Sequence, residues 1–119
     1  MAGERVPVVL VPRYTTYVGQ TGFWTLPLDV QAYSSIELTA WRGPLLGTNP
    51  TFLIYAMKSV DRAFWDEVPG STGDDPGPDT EHSYSWPLSG RWFRLRITLG
   101  GTLPGVTWWA QGFLIKREK

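Results

Sequence analysis

Histidine occurs once in this chain, at position 82, and cysteine not at all. Those two counts remove much of the chemistry open to a small domain. A structural zinc site takes about four nitrogen or sulfur ligands, which the chain cannot supply. His82 with a serine and an aspartate would make an acyl-transfer triad, but no Gly-x-Ser-x-Gly nucleophile turn is present. It reads instead as a solvated histidine at the end of a loop. Asp74, Asp75, Asp79 and Glu81 cluster just before and beside it. Carboxylates of this kind hold calcium in the loops of some β-sandwiches. Their spacing is not that of an EF-hand, however, and the interleaved Pro and Gly point to a solvated acidic loop. Glycosidase chemistry needs two carboxylates fixed about 5–9 Å apart. Asp66 and Glu67 are neighbours and would face opposite sides of a strand, while Asp29 and Glu37 stand alone. The stretch GGTLPG (100–105) lacks the lysine and helix of a phosphate-binding loop. No catalytic, metal or cofactor set emerges, and the chain is expected not to be an enzyme.

What remains is binding. Residues 91–119 read RWFRLRITLGGTLPGVTWWAQGFLIKREK and hold three of the seven Trp. Strand alternation puts Phe93, Leu95, Ile97 and Leu99 on one face and Trp92, Arg94, Arg96 and Thr98 on the other. The first set is core. The second is rich in Arg and Trp, residue types enriched at binding interfaces. Three readings stay open for it: anchors of a protein interface, aromatic rings that stack on the apolar face of a sugar, or aromatics that shield the sheet under flat-lying arginines.

Composition narrows the partners. Lys plus Arg and Asp plus Glu each total 11 in 119 residues, so the formal charge is zero. That balance lacks the basic excess of a nucleic-acid or membrane-surface binder. No apolar run approaches the roughly 20 residues of a spanning helix. The opening MAGERVPVVLVPRY has prolines inside its apolar stretch and makes a poor secretory signal, so use without export is expected.

The elements that carry these residues read as strands throughout. Thirteen Gly and ten Pro punctuate aromatic and β-branched runs. Val6–Val11 is apolar and interrupted by Pro7, an edge strand or an extended arm. Arg13–Val18, the turn GQTG and Phe23–Val30 suggest a first hairpin. Ile36–Arg42 alternates as a half-buried strand, and Thr51–Lys58 is apolar on both faces, as in a strand covered twice. Ser59–Arg62 reads as a turn and Phe64–Val68 as a short strand. The segment 69–80, PGSTGDDPGPDT, reads as an exposed, mobile loop. Glu81–Leu88 returns to the sheet. Residues 91–115 then form a closing hairpin turned at GGTLPG. A bulge at Gly112 would let Val106, Trp108, Ala110, Phe113 and Ile115 share the core face. The expected fold is an all-β antiparallel sandwich, jelly-roll-like, of about eight strands. Residues 1–12 are its arm or edge strand and 13–119 its single domain.

One local pattern carries a resemblance. FLIYAMKSVDRAFW (52–65) combines an apolar strand with Ser59, Asp61 and Trp65. It resembles the strand, S-x-D turn and tryptophan of discoidin-like and carbohydrate-binding jelly rolls, and of small β-sandwich proteins of tailed-phage particles. In those proteins the Asp shapes the turn and the Trp packs under it. The glycine that commonly follows the Asp is Arg62 here. The C-terminal segment is similar to their closing hairpin. The resemblance implies a non-enzymatic structural or assembly protein of a phage virion, made in the host cytoplasm. It would bind copies of itself or a capsid or tail protein; the residues themselves offer Val8, Val9 and Leu10 of the arm, which could add a strand to a neighbour, and the outward Trp41, Trp92, Arg94 and Arg96 as the contacts. The alternative it implies is a carbohydrate-binding module, with a glycan as partner.

Overall fold

The computed structural model describes residues 4–19, 21–69 and 73–117. Alternation of apolar and polar side chains yields strands throughout: β1 Arg5–Val18, β2 Thr21–Trp24, β3 Leu28–Asp29, β4 Tyr33–Arg42, β5 Leu46–Ser59, β6 Asp66–Glu67, β7 Thr80–Pro87 and β8 Trp92–Lys116. All the strand pairings are antiparallel.

β8 organises the molecule. Along one edge it pairs with β1, β2 and β3 in succession, from Arg5 opposite Ile115 to Asp29 opposite Trp92. Along the other it pairs with β4 and then β5, from Tyr33 opposite Lys116 to Ser59 opposite Trp92. Three long stretches of chain thus run side by side as one ribbon, with β7 added outside β4 and β6 outside β5. A straight strand of β8's 25 residues would span about 80 Å, yet the longest dimension of the molecule is 50 Å. The ribbon therefore bends. The bend falls at GGTLPG, where Gly101 and Leu103 have φ of 105° and 51°.

Bending brings the two halves of the ribbon face to face. Phe93, Leu95, Ile97 and Leu99 of the first half of β8, with Phe52, Ile54 and Ala56 of β5, form one inner surface. Ile36, Leu38 and Ala40 of β4, with Val106, Trp108, Ala110 and Leu114 of β8, form the other. Phe52 meets Trp108 edge-on at 5.3 Å, and Trp86 of β7 meets Phe93 at 6.3 Å, so side chains of the two layers interlock. Thr25 bridges the gap between β2 and β3: its N–H donates to the Leu95 carbonyl and its Oγ1 accepts from the Leu95 N–H.

Several expectations need correction. Residues 91–115 are not a hairpin, because both edges of each half of β8 are taken by other strands. GGTLPG turns a corner between layers instead of reversing the chain. The first hairpin fails for the same reason: β1 and β2 follow one another along β8. Residues 5–12, read as an arm or edge strand, lie in β1, which pairs with β8 alone among the described strands and so is an edge strand, and Val6, Val8 and Leu10 pack against the core. Gly112 keeps regular register with Val8 and Leu38. A Cβ there would collide with the Glu37 carbonyl oxygen, so the glycine serves close strand approach and not a bulge. Without the slip Phe113 faces out, 39% exposed, Ile115 is only half-buried, and Leu114 takes the core position. The strand expected at Phe64–Val68 shrinks to Asp66–Glu67, leaving Phe64 80% exposed.

The acidic segment is better anchored than its composition implied. Asp74 exchanges both backbone hydrogen bonds with Ile54, and the Asp79 N–H donates to the Arg42 carbonyl. Asp75 accepts from the Arg42 guanidinium, and Tyr84 donates its hydroxyl to Asp74. His82 is a strand residue of β7 opposite Ala40, tilted against Tyr84 at 4.7 Å. Among the described residues no three His, Asp or Glu side chains gather as a metal-binding group.

Candidate functional site

Each layer has an outward face, and strand parity decides what it shows. On the first layer the outward residues of β8 are Trp92, Arg94, Arg96 and Thr98, flanked by Trp24 of β2 and by Leu53, Tyr55 and Met57 of β5. The arginines lie between rings. Arg94 sits 3.8 Å from the centroid of Trp24 and 4.0 Å from that of Trp65, a guanidinium between two indoles. Arg96 lies 4.3 Å over Tyr55, and Arg62 lies 4.5 Å over Trp92. Burial between the indoles holds the Arg94 guanidinium below the ordinary arginine pKa. Among the described residues neither Arg94 nor Arg96 finds a hydrogen-bond partner for its buried Nε; their flat faces are spent on the rings.

The Ser59 turn feeds this ladder. Ser59 Oγ accepts from the N–H groups of Asp61 and Arg62, and Asp61 Oδ1 accepts from those of Ala63 and Phe64. Those backbone donors, Phe64 first, hold the Asp61 carboxyl below its usual range. Arg62 occupies the left-handed region at φ 66°, where a glycine is the low-cost residue. Its carbonyl accepts from Trp65 Nε1 at 3.0 Å. The turn delivers Arg62 to Trp92 and Trp65 to Arg94.

The second layer turns a different face outward. β7, β4, β8 and β1 lie side by side there, and a hollow of about 720 Å³ spans them. Glu37 and Thr39 of β4, Ser83 of β7, and Trp109, Gln111 and Phe113 of β8 line it. Two arginines of β1 lie over the outward aromatics of β8. Arg5 covers Phe113 at 4.6 Å and Arg13 covers Trp109 at 4.3 Å. Arg5 is held by Glu37 at 2.8 Å. A second hollow of about 360 Å³ adjoins the first, lined by Arg13, Tyr14, Trp41, Asp79, Glu81 and Trp109. Tyr14 stands edge-on to Trp41 at 5.6 Å, and Trp41 pairs directly opposite Trp109.

The residues singled out from the sequence fall on both faces. Trp92, Arg94 and Arg96 belong to the ladder of the first layer. Trp41 belongs to the second. Val8 and Val9 line the larger hollow, Val9 being 58% exposed, whereas Leu10 packs toward the core. The sequence reading did not single out Arg13, Gln111, Phe113 or Trp109 as site residues. Parity held the signal for Trp109, which must face opposite to the buried Trp108. Nothing local announced Arg13, whose ring partner is 96 positions away.

No family model matches the chain, and no curated protein matches it. A solved structure is similar in fold: the CBM22-1 xylan-binding domain from Paenibacillus barcinonensis Xyn10C, with a TM-score of 0.50 and 9% sequence identity. The likeness covers 99% of this chain and 98% of that one. At that identity it shows the fold, a β-sandwich of the kind found in a carbohydrate-binding module, and not the phage-particle likeness read from the sequence.

Proposed function

We propose that this β-sandwich is a non-catalytic module that takes a glycan chain across the outward face of β7, β4, β8 and β1. The observation that carries the reading is the hollow on that face, where Trp109 and Phe113 alternate with Gln111 and adjoin Glu37, Thr39 and Ser83. A pyranose presents an apolar CH face to an aromatic ring, while carboxylate, amide and hydroxyl groups bond its hydroxyls. A neutral chain suits an uncharged ligand, and the xylan-binding fold neighbour gives the first ligand to try. Titration with soluble xylan and a glycan array tests the reading. Binding that falls at least tenfold in Gln111→Ala or Phe113→Ala supports it. Binding unmoved by both replacements places the ligand elsewhere, and no binding to any glycan ends the reading.

A second reading rests on the first layer. Exposed Leu26, Val60 and Phe64, at 83%, 81% and 80%, lie in the segments that flank the arginine ladder. Apolar side chains around desolvated Arg and Trp are the composition of a protein contact. That face would join copies of the chain or a larger lattice, a virion being one such setting. Sedimentation at micromolar concentration decides: an oligomer that dissociates in Phe64→Glu supports it, and a monomer at every concentration removes self-association.

A further inference from the structure

We propose that Arg13 is a removable bar across the glycan groove, dividing it into two hollows that a long, unbranched chain joins by displacing the guanidinium. The inference rests on the glycan reading of that face. Its first support is a shared wall: Arg13, Glu81 and Trp109 line both the larger and the smaller hollow. Of these three, Arg13 is the one whose side chain lies over another, its guanidinium 4.3 Å from the centroid of the Trp109 ring. Trp109 faces outward by strand parity, yet it is only 3% exposed. The smaller hollow continues past it to Trp41.

The backbone holds the base of the bar in place, and its tip rests on the Trp109 ring. Register slips between Val9 and Val11 and again between Val11 and Thr15, so Pro12–Tyr14 stands off β8 as a strap. Pro12 fixes its own φ. Thr15 Oγ1 donates to the Pro12 carbonyl at 2.7 Å, and Tyr14 sits in the left-handed region at φ 60°. The two arginines of β1 then differ in one respect. Arg5 is tied to Glu37 as well as stacked on Phe113. Arg13 is exposed, and among the described residues its ring contact is its one interaction. A cation–π contact at an exposed site favours the closed arrangement by a factor of only about two to five. A sugar ring that stacks on Trp109 replaces that contact and gains the second hollow. Discrimination follows: short oligosaccharides fit the larger hollow with the bar closed, and long ones must open it.

The test compares the whole chain with Arg13→Ala and Arg13→Lys, using xylo-oligosaccharides of two to six units as probes. Arg13→Ala should raise the affinity for the hexasaccharide about two- to fivefold relative to that for the disaccharide. Arg13→Lys keeps the charge but loses the planar stack, and should fall between. Acrylamide quenching should rise in Arg13→Ala and return to the starting level when Trp109→Phe is added, a readout independent of any ligand. Binding with the same chain-length dependence in all three proteins leaves the glycan reading standing and removes the bar. Unchanged quenching also removes it, because Trp109 is then covered by something else. No binding by any of them removes the glycan reading and the bar's role together.

Discussion

Asp75 grips Arg42 with both carboxylate oxygens, Oδ1 accepting from Nε at 2.6 Å and Oδ2 from Nη2 at 2.8 Å. The arginine side chain is 7% exposed and occupies a core-facing position at the end of β4. Without Asp75 a buried guanidinium would lack its counter-charge. Asp75→Ala is expected to cost about 2 kcal/mol in urea unfolding. A loss below about 0.5 kcal/mol would mean that water replaces the carboxylate.

The same pair predicts a pH dependence. Burial pushes the Asp75 carboxyl up, but hydrogen bonds from Arg42 and the Gly77 N–H, with the Arg42 charge, outweigh it and leave the pKa below its ordinary value. A lowered folded pKa gives stability that is complete above the unfolded value of about 3.9 and is lost as pH falls through the folded value. Thermal melts should therefore show a fall below about pH 4 that is smaller in Asp75→Ala.

Arg94 between Trp24 and Trp65 should resist even its closest replacement. Lysine keeps the charge and loses the planar face that both indoles use. Arg94→Lys is expected to destabilise by about 1–2 kcal/mol, with reduced near-ultraviolet dichroism as the two tryptophans lose their fixed neighbour. Equal stability of the two proteins would show that the stem, not the guanidinium, carries the packing.

At Arg62 the backbone, not the side chain, sets the cost. Arg62→Gly and Arg62→Ala both remove the stack on Trp92, but only glycine relieves the left-handed conformation at φ 66°. Glycine should be the more stable variant by about 1 kcal/mol. The opposite order would mean that the turn does not keep this conformation.

Gly112 and Gly22 make a matched pair. A methyl at Gly112 would meet the Glu37 carbonyl oxygen and, at 2.8 Å, the Leu38 Cα, whereas one at Gly22 meets only the Ile97 carbonyl oxygen at 3.8 Å. Gly112→Ala should cost at least about 3 kcal/mol and Gly22→Ala under about 1 kcal/mol, measured by denaturant midpoints.

What could be read in advance was whatever depends on the chain's own periodicity. Phe93, Leu95, Ile97 and Leu99 were assigned inward and Trp92, Arg94 and Arg96 outward because alternation needs no knowledge of the partner. The Ser59–Asp61–Trp65 turn was legible because its hydrogen bonds close within a few residues. Strand partners were not. GGTLPG suits a reversal and a corner equally, and only the occupied edges of β8 distinguish them. The larger hollow stayed hidden for the same reason: it exists only where β7, β4, β8 and β1 lie side by side, and its arginines reach rings roughly a hundred residues away in sequence.

The central place of β8 in both layers has a consequence for synthesis. A growing chain carries β1, β2 and β3 out of the ribosome first, yet their pairing partner is residues 92–116. β4 can pair with β7 and β5 with β6 beforehand, but their other edges wait for the same segment. Neither inner surface can close until that last strand emerges, and contacts of such long sequence separation form slowly. A nascent chain stopped before residue 92 keeps its apolar faces open to chaperones and proteases. Closure of both layers is thus tied to one strand, and a lesion in β8 opens both faces at once.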